Sequence, residues 1–313
     1  MMRGLIIRAK SGFYTVKADE GYYLCHLRGR LKRGPRLGDI AAIGDWVKFT
    51  PLEETLAHSM NDYPLKGKGI IEEIEERQRM LSRLAPTPKG EYQQIIIANP
   101  DQMVLVFACS QPAPRFGMID RFLVIAEKHN IAPLLVINKV DLLPHPEIDE
   151  LFSVYRIIGY SVIYTSTKTG QGIDQLKSAL INKISVFVGP SGVGKSSLLN
   201  AIQPNLGQAV CEISHATQKG KHTTVERQLF PLSAGGFVAD TPGLKALALW
   251  DIQPEELDGY FPEMRTRVAD CTYKDCSHID EPDCAIRAAV ESGEIHPRRY
   301  QSYLRLRLDE EDQ

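Results

Sequence analysis

The rhythm of hydrophobic and polar positions changes twice along the chain. Over residues 1–70 apolar and polar positions roughly alternate in short runs broken by glycines: LIIRAKSGFYTVKAD, GYYLCHLRGRL and DIAAIGDWVKFTPL. A period of two over such short segments predicts strands with one buried face, and no stretch keeps a helical period. The expected element is a small antiparallel barrel, OB-like or SH3-like. From about 76 to 250 the apolar runs are continuous and rich in Val and Ile: Met103–Ala108, Leu134–Ile137, Val162–Thr165 and Ser185–Val188. They alternate with amphipathic stretches near 118–130, 147–158, 173–182 and 195–202. Strands buried on both faces, alternating with helices, predict a parallel sheet in an α/β domain. From 251 onward the pattern is mainly helical, interrupted by a knot of cysteines. The expected fold is multi-domain: an OB-like β-barrel over 1–75, an α/β domain over 76–247, and a small, mainly helical domain over 248–313.

Composition narrows the class. A chain of 313 residues, 43% hydrophobic and 24% charged, is neither disordered nor fibrous. No apolar run approaches the ~18 residues of a membrane span, and the start MMRGLIIRAK lacks a signal-peptide core. Six cysteines are too few for a secreted disulfide scaffold, and three of them fall within fourteen residues. These features predict a reduced, cytoplasmic protein with no membrane partner. The net charge of −2 conceals an asymmetry: residues 1–70 hold 12 Lys/Arg against 7 Asp/Glu, and residues 251–313 hold 8 against 16. The basic head carries Arg28, Arg30, Lys32, Arg33 and Arg36 in one expected loop. That loop is either a solvated basic surface or a contact for a phosphate backbone.

Chemistry is concentrated in five short stretches. Gly189-Pro190-Ser191-Gly192-Val193-Gly194-Lys195-Ser196 follows an apolar strand and opens a helix that continues through Ser197. This is the GxxxxGK[ST] spacing in the context it requires: backbone N–H groups and a helix N-terminus face phosphates. Lys195 would bridge the β- and γ-phosphates, and the Ser196 hydroxyl would ligate Mg²⁺. Asn138-Lys139-Val140-Asp141 ends another strand. A carboxylate at Asp141 can accept from both N1–H and the 2-amino group of guanine, a pair that adenine lacks. Ser166-Thr167-Lys168 fits a second base-contacting loop. Asp240-Thr241-Pro242-Gly243 fits a loop that holds Mg²⁺ through Asp240 and meets the γ-phosphate at the Gly243 N–H. Together these predict GTP as the bound nucleotide. Near the end, Cys271-x4-Cys276-x-His278-x5-Cys284 offers three thiolates and one imidazole, a full tetrahedral zinc set with no open position. One structural zinc ion is expected, holding a small domain that lacks a sizeable core. Cys25, Cys109 and Cys211 stand alone and are expected to be packing or surface residues.

The motif order is base loops, phosphate loop, then Mg²⁺ loop, which is a circular permutation of ordinary small GTPases. All these loops belong at the carboxyl ends of strands in one sheet, so permutation can leave the pocket intact. It also makes Asp240–Gly243 feed directly into the C-terminal segment, so that loss of the γ-phosphate is expected to move that segment. Barrel, permuted GTPase and Cys₃His motif together resemble the circularly permuted, ribosome small-subunit-dependent GTPases, the RsgA/YjeQ family. The resemblance covers nearly the whole chain.

That resemblance implies a GTP hydrolase acting late in small-subunit maturation. Its barrel and zinc domain would grip 16S rRNA, the subunit would stimulate hydrolysis, and hydrolysis would trigger release. Leu244 stands where Ras-like enzymes carry the glutamine that orients water, and leucine cannot hydrogen-bond. Lys219-Gly220-Lys221-His222-Thr223-Thr224 falls where the first switch should be. One of Thr223 and Thr224 would complete the Mg²⁺ shell. The resemblance implies that His222 positions or activates the water; the alternative is that it holds the switch or touches RNA. Two other functions compete, a GTP-sensing RNA-binding scaffold with negligible catalysis and a P-loop kinase for a small acceptor. A monomer is expected.

Overall fold

The computed structural model describes residues 1–32, 38–52, 63–87, 90–210, 227–240 and 252–310, with the side chains of 84–91 and Asp240 excepted. Five strands close the N-terminal barrel: β1 (Met2–Lys10), β2 (Phe13–Ala18), β3 (Gly21–Leu27), β4 (Trp46–Leu52) and β5 (Leu65–Ile74). Neighbours run β1-β2-β3-β5-β4, and β4 pairs back onto β1 from Met2↔Phe49 to Leu5↔Trp46. The β3–β5 pair is parallel and the others are antiparallel. This is the Greek-key barrel of the OB type. A register shift between Ile6 and Arg8 leaves Ile7 as an extra residue, and it is buried directly after the buried Ile6. The extra residue of a bulge breaks the strict two-residue alternation. Asp45, fully buried, is held by both arms of Arg77 at 2.7 and 2.8 Å and accepts from the Ala42 N–H at 2.8 Å. A buried carboxylate satisfied this fully pins the turn into β4.

A two-stranded ribbon follows, β6 (Met80–Thr87) with β7 (Gly90–Ala98). The α/β region then supplies β8 (Gln102–Ala108), α1 (Phe116–Lys128), β9 (Ala132–Asn138), α2 (His145–Ile158), β10 (Ser161–Tyr164), α3 (Ile173–Leu180), β11 (Ile184–Val188) and α4 (Lys195–Ile202). Three short strands come next, β12 (Arg227–Gln228), β13 (Phe230–Pro231) and β14 (Phe237–Asp240). β8 and β11 are buried at every position, as continuous Val/Ile runs demand of a sheet covered on both faces. α2 starts with Pro at its first turn and stops at Gly159, whose φ of 109° ends the helix in the left-handed region. α1 begins two residues before the amphipathic stretch suggested. The C-terminal segment contains a 3₁₀ stretch (Pro254–Tyr260), α5 (Ala285–Glu291) and α6 (Pro297–Arg307).

By packing, the described residues divide into two compact units, each built from several stretches of chain. The first takes Met1–Gln102, Lys177–Val188 and Ser196–Ala246. In it β11 and β14 run parallel, β13 is antiparallel to β14, and β12 adds to the barrel edge at β1. The second takes Met103–Leu176, Gly189–Lys195 and Leu247–Gln313. In it β8, β9 and β10 lie side by side, with β9 and β10 parallel. Among the described residues, no helix is long and apolar enough to cross a membrane.

Candidate nucleotide site and metal centre

The base-reading and phosphate loops meet through buried polar bonds. Asn138, the last residue of β9, is 1% exposed. Its Nδ2 donates to the Val193 carbonyl at 2.9 Å, and its Oδ1 accepts from Thr165 Oγ1 at 3.1 Å. One side chain thus joins the phosphate loop to the ends of β9 and β10. Gly194 shows how tight this joint is: it has φ +94°, and a Cβ there would lie 2.4 Å from Asn138 Nδ2. Gly189 is equally constrained, since its Cβ would stand 2.1 Å from the Val106 carbonyl oxygen. Glycine is required at both positions by close approach as well as by positive φ.

Lys139 adopts the left-handed conformation, φ 62°. Its ammonium donates to the Gly192 carbonyl at 2.7 Å and to the Gln111 carbonyl. The turn then presents Asp141, whose Oδ1 accepts from Ser166 Oγ at 2.6 Å while Lys168 Nζ lies 3.8 Å from Oδ2. The Ser166 hydroxyl, aided by the turn's own N–H and the two lysines, holds the Asp141 carboxyl below the usual carboxylate range. An ionised carboxylate here can accept two bonds along a base edge. Lys195 Nζ arches back to the Gly189 and Pro190 carbonyls at 2.7 and 2.9 Å, and so sits inside the loop it serves. Ser196 and Ser197 occupy the first turn of α4. β14 brings Asp240 into register with Phe187 of β11, beside the strand that leads into the phosphate loop. A serine hydroxyl and an aspartate carboxylate are oxygen donors of the kind that Mg²⁺ takes. His222, Thr223, Thr224 and Gly243 lie outside the described residues, as does the Asp240 side chain. Thr167 is placed with Ser166 after β10.

The four metal-type donors do converge: the ligand atoms of Cys271, Cys276, His278 and Cys284 all lie within 4.8 Å of one another. His278, fully buried at φ 61°, turns Nδ1 toward two of the sulfurs at 3.4 and 3.6 Å. Its other nitrogen faces Asp258 Oδ2 at 3.0 Å. An imidazole with one nitrogen among thiols and the other on a carboxylate is the arrangement a zinc-ligating histidine takes. Burial pushes the Cys276 thiol up to about 12, a state that metal ligation would reverse. The backbone around it is fixed from a distance. Tyr300 and Tyr303 hydroxyls donate to the His278 and Ser277 carbonyls at 2.5 and 2.9 Å. Glu281 accepts from Ser277 and Ile279, bonds that hold its carboxyl down at about 2. The donor set therefore fits zinc. The core around it is larger than the sequence implied: Leu257, Phe261, Met264, Ile286, Ala289, Ile295 and Tyr303 pack with the two buried cysteines and with Val124 of α1.

Several of these residues carry no sequence signal. Asp258 lies 20 residues before His278, with no spacing to mark it. Cys109, one of the isolated cysteines, bonds the Lys139 carbonyl at 3.0 Å beneath the base loop, and burial pushes its thiol up. Cys25 is a buried barrel residue, and Cys211 lies outside the described residues. In the basic barrel loop, Arg28 and Arg30 fold onto Glu72 while keeping side chains 54% and 64% exposed; Lys32 ends a 3₁₀ turn over Gly29–Lys32. Arg33 and Arg36 lie outside the described residues.

Comparison with known proteins agrees with this geometry. A profile of the RsgA GTPase family matches residues 74–250, and one of the RsgA N-terminal domain matches residues 3–58. The small ribosomal subunit biogenesis GTPase RsgA of Gemmatimonas aurantiaca is 40% identical over 307 residues, covering 97% of this chain and 96% of that protein. Its counterpart from Thermotoga petrophila is 40% identical over 310 residues, covering 97% and 95%. Among solved structures, YjeQ from Thermotoga maritima is similar at a TM-score of 0.75 and 36% identity over 98% of both chains. YloQ, a circularly permuted GTPase, is similar at 0.72 and 31%, over 99% of this chain and 94% of that one. With matches of this extent over a barrel, permuted loops and a Cys₃His cluster, the chain belongs to the RsgA GTPase family.

Proposed function

We propose that this chain hydrolyses GTP to GDP and phosphate in the biogenesis of the small ribosomal subunit, the role its relatives' names carry. The observation that carries the nucleotide reading is the Asp141 carboxylate held by Ser166 next to a phosphate loop bonded to Asn138. Asp141 accepts from guanine N1–H and the 2-amino group, with Ser166, Thr167 and Lys168 along the same edge. Asn138 and Lys139 fix the loops that carry these groups. Residues Gly189 to Ser197 wrap the phosphates, and Lys195 neutralises charge that builds on them. Ser196, Asp240 and one of Thr223 and Thr224 would hold Mg²⁺, which supplies further neutralisation at the phosphate oxygens. The Gly243 N–H meets the γ-phosphate, and His222 positions or activates the water.

Cys271, Cys276, His278 and Cys284 hold one structural zinc ion. The barrel loop with Arg28, Arg30, Lys32, Arg33 and Arg36 contacts phosphates of 16S rRNA. The chain works as a cytoplasmic monomer on the subunit, which stimulates hydrolysis, and hydrolysis triggers release late in maturation. Leu244, in place of a water-orienting glutamine, favours a second reading, a GTP-sensing RNA-binding scaffold with negligible turnover. Phosphate release from GTP, measured with and without purified small subunits for wild type and His222→Ala, separates the two. Stimulated turnover lost in the variant supports the proposal. Absence of turnover under all conditions leaves the scaffold.

A further inference from the structure

The C-terminal helix grips the helix that leads out of the nucleotide loops. Arg299 of α6 is fully buried between two carboxylates. It donates to Asp120 Oδ1 of α1 at 2.6 Å, and to Glu263 Oε1 and Oε2 at 2.6 and 3.3 Å. Asp120, also fully buried, accepts in addition from the Tyr155 hydroxyl of α2 at 3.0 Å. Next to it, the Arg298 guanidinium stacks 3.7 Å from the ring of Phe116, the first residue of α1, and donates to the Leu151 carbonyl of α2 at 2.7 Å. The far end of α1 is tied as well, by Lys128 to Glu256 at 2.7 Å.

Only a few residues upstream of Phe116, the same chain touches the nucleotide loops. The Gln111 carbonyl accepts from the Lys139 ammonium, which also bonds Gly192 in the phosphate loop. Pro112 backs onto that loop too, its Cδ 3.7 Å from where a Cβ on Gly192 would stand. The short run from Gln111 to Asp120 is therefore pinned at one end by the base and phosphate loops and at the other by α6. Buried ion pairs are poor sources of net stability, but moving α1 against α6 would leave a charge of this one buried and unpaired, which is costly.

We infer that Arg298 and Arg299 are positioning residues for the guanine-nucleotide site, acting through the first turns of α1 and the Gln111–Pro112 segment on Lys139 and Gly192. The inference rests on the guanine-nucleotide reading above. Because such coupling is reciprocal, bound nucleotide also steadies α6.

The test is fluorescent-GDP affinity and steady-state GTP hydrolysis of the full chain, with zinc content as a check on folding. Arg298→Ala removes the stack on Phe116 without unpairing a buried charge. It is expected to raise the GDP Kd and the GTP KM by about three- to tenfold and to leave kcat within about twofold. Arg299→Met combined with Asp120→Asn and Glu263→Gln neutralises the triad, and should raise both by about tenfold or more. A double-mutant cycle of Arg298→Ala with Lys139→Ala should be non-additive, since both changes loosen one path. Unchanged GDP affinity in both variants at full zinc content, or strict additivity in the cycle, overturns the inference. A wild-type chain that binds no guanine nucleotide overturns the functional reading itself, a result visible before any variant is made.

Discussion

The candidate nucleotide loops and the candidate metal cluster both gather polar groups, and they use the chain in opposite ways. Asn138 and the Val193 carbonyl that it bonds are 55 residues apart, and Thr165 and Ser166 come from a third strand end. None of these contacts exists until the strands are side by side, so this site is a product of the finished fold. The four metal donors fall within fourteen residues and need only a local loop to meet. Yet the cluster is not self-sufficient. Its imidazole is oriented by Asp258, and its backbone is held by Tyr300 and Tyr303, 22 and 26 residues beyond the carbonyls that they bond. The contrast teaches that near neighbours in sequence can set which ligand is bound, while distant residues set the geometry in which it is held.

Metal removal should have the largest effect. Structural zinc is worth ~10–16 kcal/mol in small zinc domains, so Cys276→Ala or a strong chelator should unfold the segment around 271–284, followed by the near-ultraviolet signal of Tyr300 and Tyr303. If that signal survives complete zinc loss, the buried cluster around Phe261 holds the segment by itself and the local-site picture fails. Next in size is Arg299→Met alone. Leaving Asp120 and Glu263 buried without their cation should cost about 3–5 kcal/mol, read from denaturant midpoints.

A smaller effect is expected for Asp141→Asn. Losing charge-assisted bonds to guanine should weaken GTP binding by roughly 10- to 100-fold and favour a xanthine nucleotide, whose 2-oxo group suits an amide donor. Equal weakening toward both bases would place Asp141 outside the base edge. Ser166→Ala sharpens the same point through pH. Asp141 has a lowered folded pKa, so its ionised form contributes fully above the ordinary value near 3.9 and is lost only as pH falls through the lowered one. Removing the Ser166 hydroxyl should move the acid limb of GDP binding to higher pH, and an unmoved limb would deny Ser166 this role. The smallest change in stability belongs to Arg28→Ala. Its guanidinium is half exposed, so solvent screens the pair it makes with the buried Glu72. If the loop meets RNA phosphates, the same variant lowers the salt dependence of RNA binding by about one unit of slope.

Much of this architecture was legible from residue order. Alternation in LIIRAKSGFYTVKAD and the solid runs around 103–108 and 185–188 anticipated barrel strands and a covered sheet, because period and burial follow directly from backbone geometry. The loops ending at Asp141 and Ser196 and the Cys₃His spacing carried their chemistry in a handful of consecutive residues. Other features left no local trace. The bulge at Ile7 depends on the partner strand, and the turn of Arg28 and Arg30 onto Glu72 depends on β5 lying alongside. The expected handover from Asp240–Gly243 to the C-terminal segment followed from chain order alone. The residues that would carry it, 241–251, lie outside the described residues, and among the described ones Arg298, Arg299 and Glu256 bond α1 and α2.

Residue order, then, settled the kinds of elements and offered the motifs expected to hold nucleotide and metal, since each of those is encoded in spacing that covalent geometry preserves. Tertiary structure alone decided which buried charges would find one another. Arg299 reads as an ordinary arginine in a polar helix, and Asp120 as a polar break in an apolar one. They are 179 residues apart, and only the packing of α6 against α1 puts a guanidinium within 2.6 Å of that carboxylate. A pairing of that range has no period or motif to announce it, because its attraction becomes strong only once folding has taken both groups out of water, at a desolvation cost.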